Sequence, residues 1–102
     1  MLLNIQLLPA RCPGLDIAEA VARLSRLAKD VSVTEGVDQG AYVNIALRAD
    51  HIVGLWIKLR EQLQADAALA GAAIVVCQGG HGWDDYLLLH HFDPLQALDE
   101  LA

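Results

Sequence analysis

The side chains of this chain that could do chemistry are concentrated in one stretch, CQGGHGWDDYLLLHH, from Cys77 to His91. The stretch holds a thiol, three of the four histidines, two aspartates and a tryptophan. A zinc site requires three or four such ligands at about 2.0–2.3 Å from the metal. The residues that could supply them here are Cys77, His81, Asp84 and His90.

The spacing of these ligand types is not the paired spacing of zinc motifs. Cys77 and His81 form a Cys-x3-His pair, and no second Cys/His pair follows it. His90 and His91 are neighbours on a predicted strand, so at most one of them can join a given site. We therefore interpret the stretch first as a glycine-rich hairpin loop. A metal-dependent protein or enzyme that uses Cys77, His81 and Asp84 is the alternative interpretation.

Other chemistry at this stretch is less favoured. A Cys-His nucleophile needs an activated thiolate, whereas Cys77 ends a strand with a buried pattern. The glycines of QGGHG lack the Lys-Ser/Thr of a P-loop and the GxGxxG spacing of a dinucleotide site. Asp84 and Asp85 diverge as neighbours on a strand, so they make a poor acid–base pair. We therefore assign no catalytic residue, expect no cofactor and favour a protein that is not an enzyme.

A second candidate site is a row of polar side chains on the strand predicted at Ala41–Arg48. Tyr42, Asn44 and Arg48 share one face of this strand because successive side chains alternate. Arg48 would hold a carboxylate and Tyr42 would stack on a ring. Trp83, in the glycine-rich turn, is the fourth residue assigned to this ligand site. A tryptophan in such a turn either packs down on the end of the sheet or anchors an interface. The alternative is an ordinary sheet face that is solvated or covered by a partner subunit.

The first half of the chain predicts a strand, a helix and a hairpin. Hydrophobic residues alternate in the N-terminal run, and Asp16 with Glu19 forms a capping box before a helical stripe. Two further runs rich in β-branched residues flank a glycine-containing loop. The predicted ranges are a strand over 2–8, a helix over 16–29, and hairpin strands over 31–34 and 41–48.

The second half predicts a helix followed by two strands and a terminal helix. Asp50 is expected to cap a helix whose apolar stripe comprises Ile52, Leu55, Trp56, Leu59 and Leu63. Val53 and Ile57 widen this stripe, which indicates deep burial or a second contact surface. The alanine-rich residues 65–70 are expected to fray into a loop. The remaining ranges are strands over 73–77 and 86–92 and a helix over 94–101, with Asp93 as its cap.

This order of elements predicts an α+β fold. The first six elements match the split pattern of a ferredoxin-like β-α-β-β-α-β sandwich, here with an additional C-terminal strand and short helix. We expect one domain over 1–102, in which two helices cover one face of an antiparallel sheet. The predicted core face carries Leu3, Ile5, Leu7, Val43, Ile45 and Leu47, and the far face carries Asn4, Gln6, Ser32, Thr34, Tyr42, Asn44 and Arg48.

Composition argues against several classes of partner and compartment. The formal net charge is -6, and seven basic residues are scattered among thirteen acids. Because DNA and anionic membranes attract clustered Lys and Arg, we expect binding to neither. Cys12 and Cys77 are too far apart in sequence to suggest a disulfide framework, and the chain shows no secretory pattern or apolar run of about 20 residues. We therefore expect a cytoplasmic protein.

The function favoured by these patterns is a binding or interaction module that forms a homodimer. Apolar residues make up 55% of the chain, and the last strand carries leucines on both faces. A monomer would leave much of this apolar surface exposed. In this interpretation Trp83, Tyr86 and Leu88 belong to the association surface. The alternative is an accessory or inhibitor-type partner of another protein, where the acidic charge would steer the chain to a basic surface.

Overall fold

The computed structural model describes residues 2–37, 40–78 and 86–100, which form an α+β fold. A short 3-10 helix at Pro9–Arg11 follows the first strand. The other elements are β1 (Leu2–Leu7), α1 (Ile17–Ser25), β2 (Asp30–Val37), β3 (Ala41–Arg48), α2 (Ile52–Ala65), α3 (Ala67–Ala70), β4 (Ala73–Gln78) and β5 (Tyr86–His90).

The five strands form one antiparallel sheet in the order β2-β3-β1-β4-β5. The central strand β1 pairs with β3 on one side and β4 on the other, so Ile5 lies between Ile45 and Val75. Strands β1 and β2 are therefore separated by β3, and strands β3 and β4 are separated by β1. Each of these two split connections contains a helix, because a strand cannot reach a position two places away by a tight turn.

The helices cover one face of the sheet, as the alternating sequence pattern predicts. The strand residues predicted for the core face are all buried. So is the predicted stripe of α2, whereas Val53 and Ile57 are each 42% exposed. The wide apolar arc of α2 is therefore not a sign of deep burial. The buried cluster contains Leu3, Ile5, Leu7, Leu24, Val43, Ile45, Leu47, Ile52, Leu55, Trp56, Leu59, Leu63, Leu69, Val75, Cys77 and Leu89, with Ala20 and Ala73.

Helix α1 begins where the capping residues predict but ends earlier. The side chain of Asp16 accepts a hydrogen bond from the Glu19 backbone N–H at 3.1 Å. The predicted helix over 16–29 is too long, because the last regular residue is Ser25. The N–H groups of Arg26 and Leu27 bond to carbonyls three residues back, a tightened turn that ends the helix before β2.

Helix α2 differs from the prediction at both ends. The residue at its N-cap position is His51, not Asp50, and the His51 side chain makes no capping hydrogen bond. The last residue of α2 is Ala65. Asp66 has an extended backbone and is the N-cap residue of the next helical turn, α3. The expected fraying of this segment into a loop is therefore wrong. None of the helices in the described ranges is long and apolar enough to cross a membrane.

The predicted C-terminal helix over 94–101 is wrong for the part of it that the structure describes. Residues 91–100 contain only one turn, in which Asp93 accepts a hydrogen bond from the Leu95 N–H at 2.9 Å. Asp99 then binds the edge of β5, because its N–H donates to Leu88 O and its carboxylate accepts from Leu88 N–H, both at 2.8 Å. A helix this short is unstable without an apolar contact, and Leu95 is 92% exposed.

The strand limits also shift. Strand β5 ends at His90 instead of residue 92, and β4 extends one residue to Gln78. Strand β2 is twice the predicted length, since it continues to Val37. Strand β2 pairs with β3 along its whole length without a bulge. The β-branched residues cover only part of this strand, so a prediction from residue type alone made it too short.

Candidate functional site

The face of the sheet turned away from α1 and α2 has no buried residue, and we call it the open face. Among the residues that the structure describes, its only charged members are Asp30 and Arg48, at one corner. The predicted polar residues of this face all lie on it. The full set is Leu2, Asn4, Gln6, Asp30, Ser32, Thr34, Gly36, Tyr42, Asn44, Ala46, Arg48, Ile74, Val76, Gln78, Tyr86 and Leu88.

The open face has an apolar half, of which the sequence predicted only Tyr86 and Leu88, as part of an association surface. Ile74 and Val76 project from β4, and the strand register places Val76 opposite Leu88. Tyr86, the next open-face residue of β5, is 56% exposed. The continuous apolar run of β4 gives no alternation, so only the pairing with β1 shows which of its residues face outward.

The predicted ligand residues of β3 are engaged within the sheet. The ring of Tyr42 packs over Gly36 of the neighbouring strand, where any Cβ would collide with it. The guanidinium of Arg48 forms an exposed ion pair with Asp30 at 3.7 Å. Asn44 stands between them, and its buried Oδ1 has no hydrogen-bond partner among the described residues. The row therefore shares one face as predicted, while ligand binding by it stays a prediction; Trp83 lies outside the described residues.

The residues predicted to bind a metal do not converge within the described part of the chain. Cys77 lies on the core face of β4, is 1% exposed and pairs in register with Leu87. A bulge in β5 places His90 opposite Val75, two positions along β4 from Cys77. The Nε2 atom of His90 is 2.9 Å from the carbonyl oxygen of Ala70. In the ranges described, no three His, Cys, Asp or Glu side chains are grouped to hold a metal.

His81 and Asp84, the other two predicted metal ligands, lie outside the described residues, as does the glycine-rich turn itself. The metal site therefore stays a prediction. Its two described members, Cys77 and His90, do not share a position in the sheet. A site in the turn would thus draw mainly on residues 79–85.

A groove of about 720 Å³ opens at the end of the helical layer where α1 leads into β2 and β3 leads into α2. Arg48 lines this groove, whereas Tyr42 and Asn44 do not. Sequence reasoning missed the groove because its walls come from three separate segments, two connections and a helix. They are Leu27–Asp30, Arg48–His51, and Gly54, Leu55 and Lys58 of α2.

One ion pair joins α1 to the start of α3, and sequence reasoning missed this contact too. Arg23 Nη2 donates to Asp66 Oδ2 at 2.9 Å, while Asp66 Oδ1 accepts from the N–H groups of Ala68 and Leu69. The hydrogen bond from Arg23 and the bond from the Leu69 N–H hold the pKa of Asp66 below its ordinary value. The preference of aspartate for helix N-caps could have predicted the cap at Asp66. The ion pair could not be predicted, because Arg23 lies 43 residues away in the sequence.

Comparison with known protein families, with curated proteins and with solved structures finds no significant match to this chain.

Proposed function

We propose that this protein is a binding module that works as a homodimer, in which the open faces of two sheets pack against each other. The observation that carries the proposal is the apolar half of the open face, formed by Leu2, Ile74, Val76, Tyr86 and Leu88. An antiparallel sheet can leave one face in water, but that face is then normally polar. A contiguous apolar patch on a small domain is typical of an association surface.

Charge supports a second copy as the occupant of this face. Two copies of a chain with a net charge of -6 repel each other at long range, so a contact between them needs a surface that adds no repulsion. The described part of the open face meets this condition, because the one acid and one base found there, Asp30 and Arg48, form an ion pair. A two-fold contact would place identical neutral patches together, which is the usual arrangement in homodimers.

The same surface gives the dimer a place to bind a ligand. A flat sheet face lacks the concavity of a small-molecule pocket, and a seam between two sheets supplies it. Asn44 would face this seam with an acceptor to which no group in ranges 2–37, 40–78 and 86–100 donates a hydrogen bond. Buried polar atoms are nearly always hydrogen-bonded, so a donor from the partner or from a ligand is expected at Asn44 Oδ1.

The strand order supports assigning the first six main elements to the ferredoxin-like class. That class is built from two split β-α-β units, in which a third strand is inserted between the two joined by the helix. The order β2-β3-β1-β4 has this property for both helical connections. Strand β5 would then be an addition beside β4. The class by itself carries no function, so the homodimer proposal does not depend on it.

Sedimentation equilibrium on the untagged protein tests the proposal. We expect a dimer in the micromolar range for the unmodified chain. Val76→Glu places an unpaired carboxylate in the contact, and a cost of about 3 kcal/mol raises the dimer dissociation constant about 100-fold. The matched control is Val37→Glu, the same change at a side chain that is 82% exposed and outside the open face.

The far-UV circular dichroism of both variants should match that of the unmodified protein, because neither position is buried. Two results contradict the proposal: a monomer for the unmodified chain at several hundred micromolar, or a Val76→Glu protein that dimerises as tightly as the Val37→Glu control.

A further inference from the structure

We propose that the groove between α1, β2 and α2 binds a small organic molecule through an oxyanion, either a carboxylate or a phosphate monoester. Its volume of about 720 Å³ falls in the range of small-molecule sites, about 300–1,000 Å³. Leu27, Ala28, Ala49 and Leu55 supply apolar surface for the body of the ligand. The charged side chains of the groove select the anionic group.

Charge complementarity is the first argument for an anion. Three of the seven Lys and Arg residues of this acidic chain line the groove: Lys29, Arg48 and Lys58. Arg48 is already paired with Asp30, and Asp50 is the other acid in the lining. The side chains of Lys29 and Lys58 form no ion pair or hydrogen bond within the part of the chain that the structure describes. Two ammonium groups in the groove are thus available to bind an anion, although the protein as a whole is negatively charged.

Gly54 is the second argument, because nothing in the packing of α2 explains a glycine there. A glycine inside a helix makes the helix less stable than an alanine does, because glycine loses more conformational freedom on folding. A Cβ atom at Gly54 would meet no heavy atom within 4 Å. The residue lines the groove on the same helical face as His51 and Lys58, three residues before it and four after it. The missing side chain therefore leaves this wall of the groove open to a ligand.

The acids near the groove do not cancel this preference. The carboxylate of Asp30 is engaged by Arg48 across the β2–β3 pair, and the first turn of α2 contains no acidic residue. Asp50 is the other acid of the lining, so the charges there that lack an ion pair within the described residues are two positive and one negative. Asp30 and Arg48 lie on the open face and also line the groove, but the apolar residues that carry the homodimer proposal, Ile74, Val76, Tyr86 and Leu88, take no part in the groove.

Isothermal titration and amide NMR shifts with defined probes test the proposal. Benzoate and phenyl phosphate carry the two oxyanions on one ring, and benzyl alcohol is their neutral counterpart. We expect one or both anions to bind with a submillimolar dissociation constant and to shift the amides of residues 27–30 and 51–58. Benzyl alcohol should bind at least tenfold more weakly. The stronger of the two anions identifies the class of oxyanion.

Three variants separate this site from general charge effects. Lys58→Ala should weaken binding about tenfold, whereas Arg60→Ala, on the same helix but outside the groove, should change it less than twofold. Gly54→Ala should weaken binding while raising the melting temperature, a combination that a purely structural role for Gly54 would not give. The monomeric Val76→Glu protein should bind as well as the unmodified chain, so this test does not depend on dimer formation.

Several results overturn the proposal. They are no binding of either anion at 10 mM, equal loss of affinity in Lys58→Ala and Arg60→Ala, unchanged affinity in Gly54→Ala, and benzyl alcohol binding as tightly as the anions.

Discussion

The Asp66 carboxylate has two roles, the ion pair with Arg23 and the cap of α3, and substitutions at Asp66 can measure them separately. Asp66 caps α3 through two backbone N–H groups and also accepts a hydrogen bond from Arg23 of α1. Asp66→Ala removes both interactions. Asp66→Asn keeps an oxygen that can cap the helix, but it replaces the oxygen that accepts from Arg23 with an amide NH2, so it removes the ion pair and its hydrogen bond. The difference between the variants is therefore the contribution of the cap.

The expected magnitudes follow from the geometry. Loss of an aspartate cap costs about 1 kcal/mol of unfolding free energy. The ion pair is only partly exposed, with side-chain exposures of 28% and 26%, so it contributes about 0.5–1 kcal/mol. Asp66→Ala should thus lose about 1.5–2 kcal/mol and Asp66→Asn about 0.5–1 kcal/mol. For a domain of this size, the first value corresponds to a decrease in melting temperature of roughly 6–10 °C.

The pH dependence identifies the charge contribution. The pKa of Asp66 is lower in the folded protein than in the unfolded chain, so folding favours the ionised form. The resulting stability is fully present above the unfolded pKa, about 3.9, and is lost as the pH falls through the lower folded pKa. The difference between the unmodified protein and Asp66→Asn should stay constant from pH 8 to about 5 and close below about pH 4.

Urea unfolding followed by circular dichroism measures these differences, and a double-mutant cycle isolates the ion pair. Arg23→Ala combined with Asp66→Ala should give a coupling energy of about 0.5–1 kcal/mol. Arg23 Nε also lies 3.5 Å from Glu19 Oε1, but without a hydrogen bond, so this second pair should couple more weakly. Two results would refute this reasoning. One is an Asp66→Ala protein as stable as the unmodified protein at pH 7. The other is a difference in unfolding free energy between the unmodified protein and Asp66→Asn that persists at pH 2.

Two further predictions concern the open face and the cysteines. Gly36→Ala should destabilise the protein by about 1–3 kcal/mol, because the new Cβ overlaps the Tyr42 ring. Adding Tyr42→Ala should recover part of this loss in the same urea assay, and strictly additive effects of the two substitutions would be inconsistent with the overlap. A thiol reagent should modify Cys12, which is partly exposed, well before Cys77, which is 1% exposed; comparable rates in the native protein would contradict the burial of Cys77.

The site was less predictable from the sequence than the fold. The row of Tyr42, Asn44 and Arg48 was correctly placed on one face, because the period of a strand fixes which residues share a side. The apolar partners of that row, Ile74 and Val76, were not identified, since a continuous apolar strand has no alternation to read. The groove beside α2 could not be predicted at all, because its walls join positions that are distant in sequence.

Local interactions explain which elements the sequence predicted well. Strands β1 and β3 and the stripe of α2 follow from hydrophobic periodicity, and the start of α1 follows from the Asp16 cap, whose bond spans three residues. The end of α1, the break at Asp66 and the fate of the C-terminal segment depend on distant partners. Asp66 meets Arg23, and Asp99 meets Leu88.

By itself, therefore, the sequence determined the α+β class, the core residues and the alternation of the strands, since these depend on spacing along the chain. The tertiary structure alone decided the strand order, the outward-facing residues of β4, and the groove, whose two lysines form no ion pair within the described ranges. The physical reason is that pairing between distant strands sets which outward residues become neighbours, and no local pattern encodes that choice.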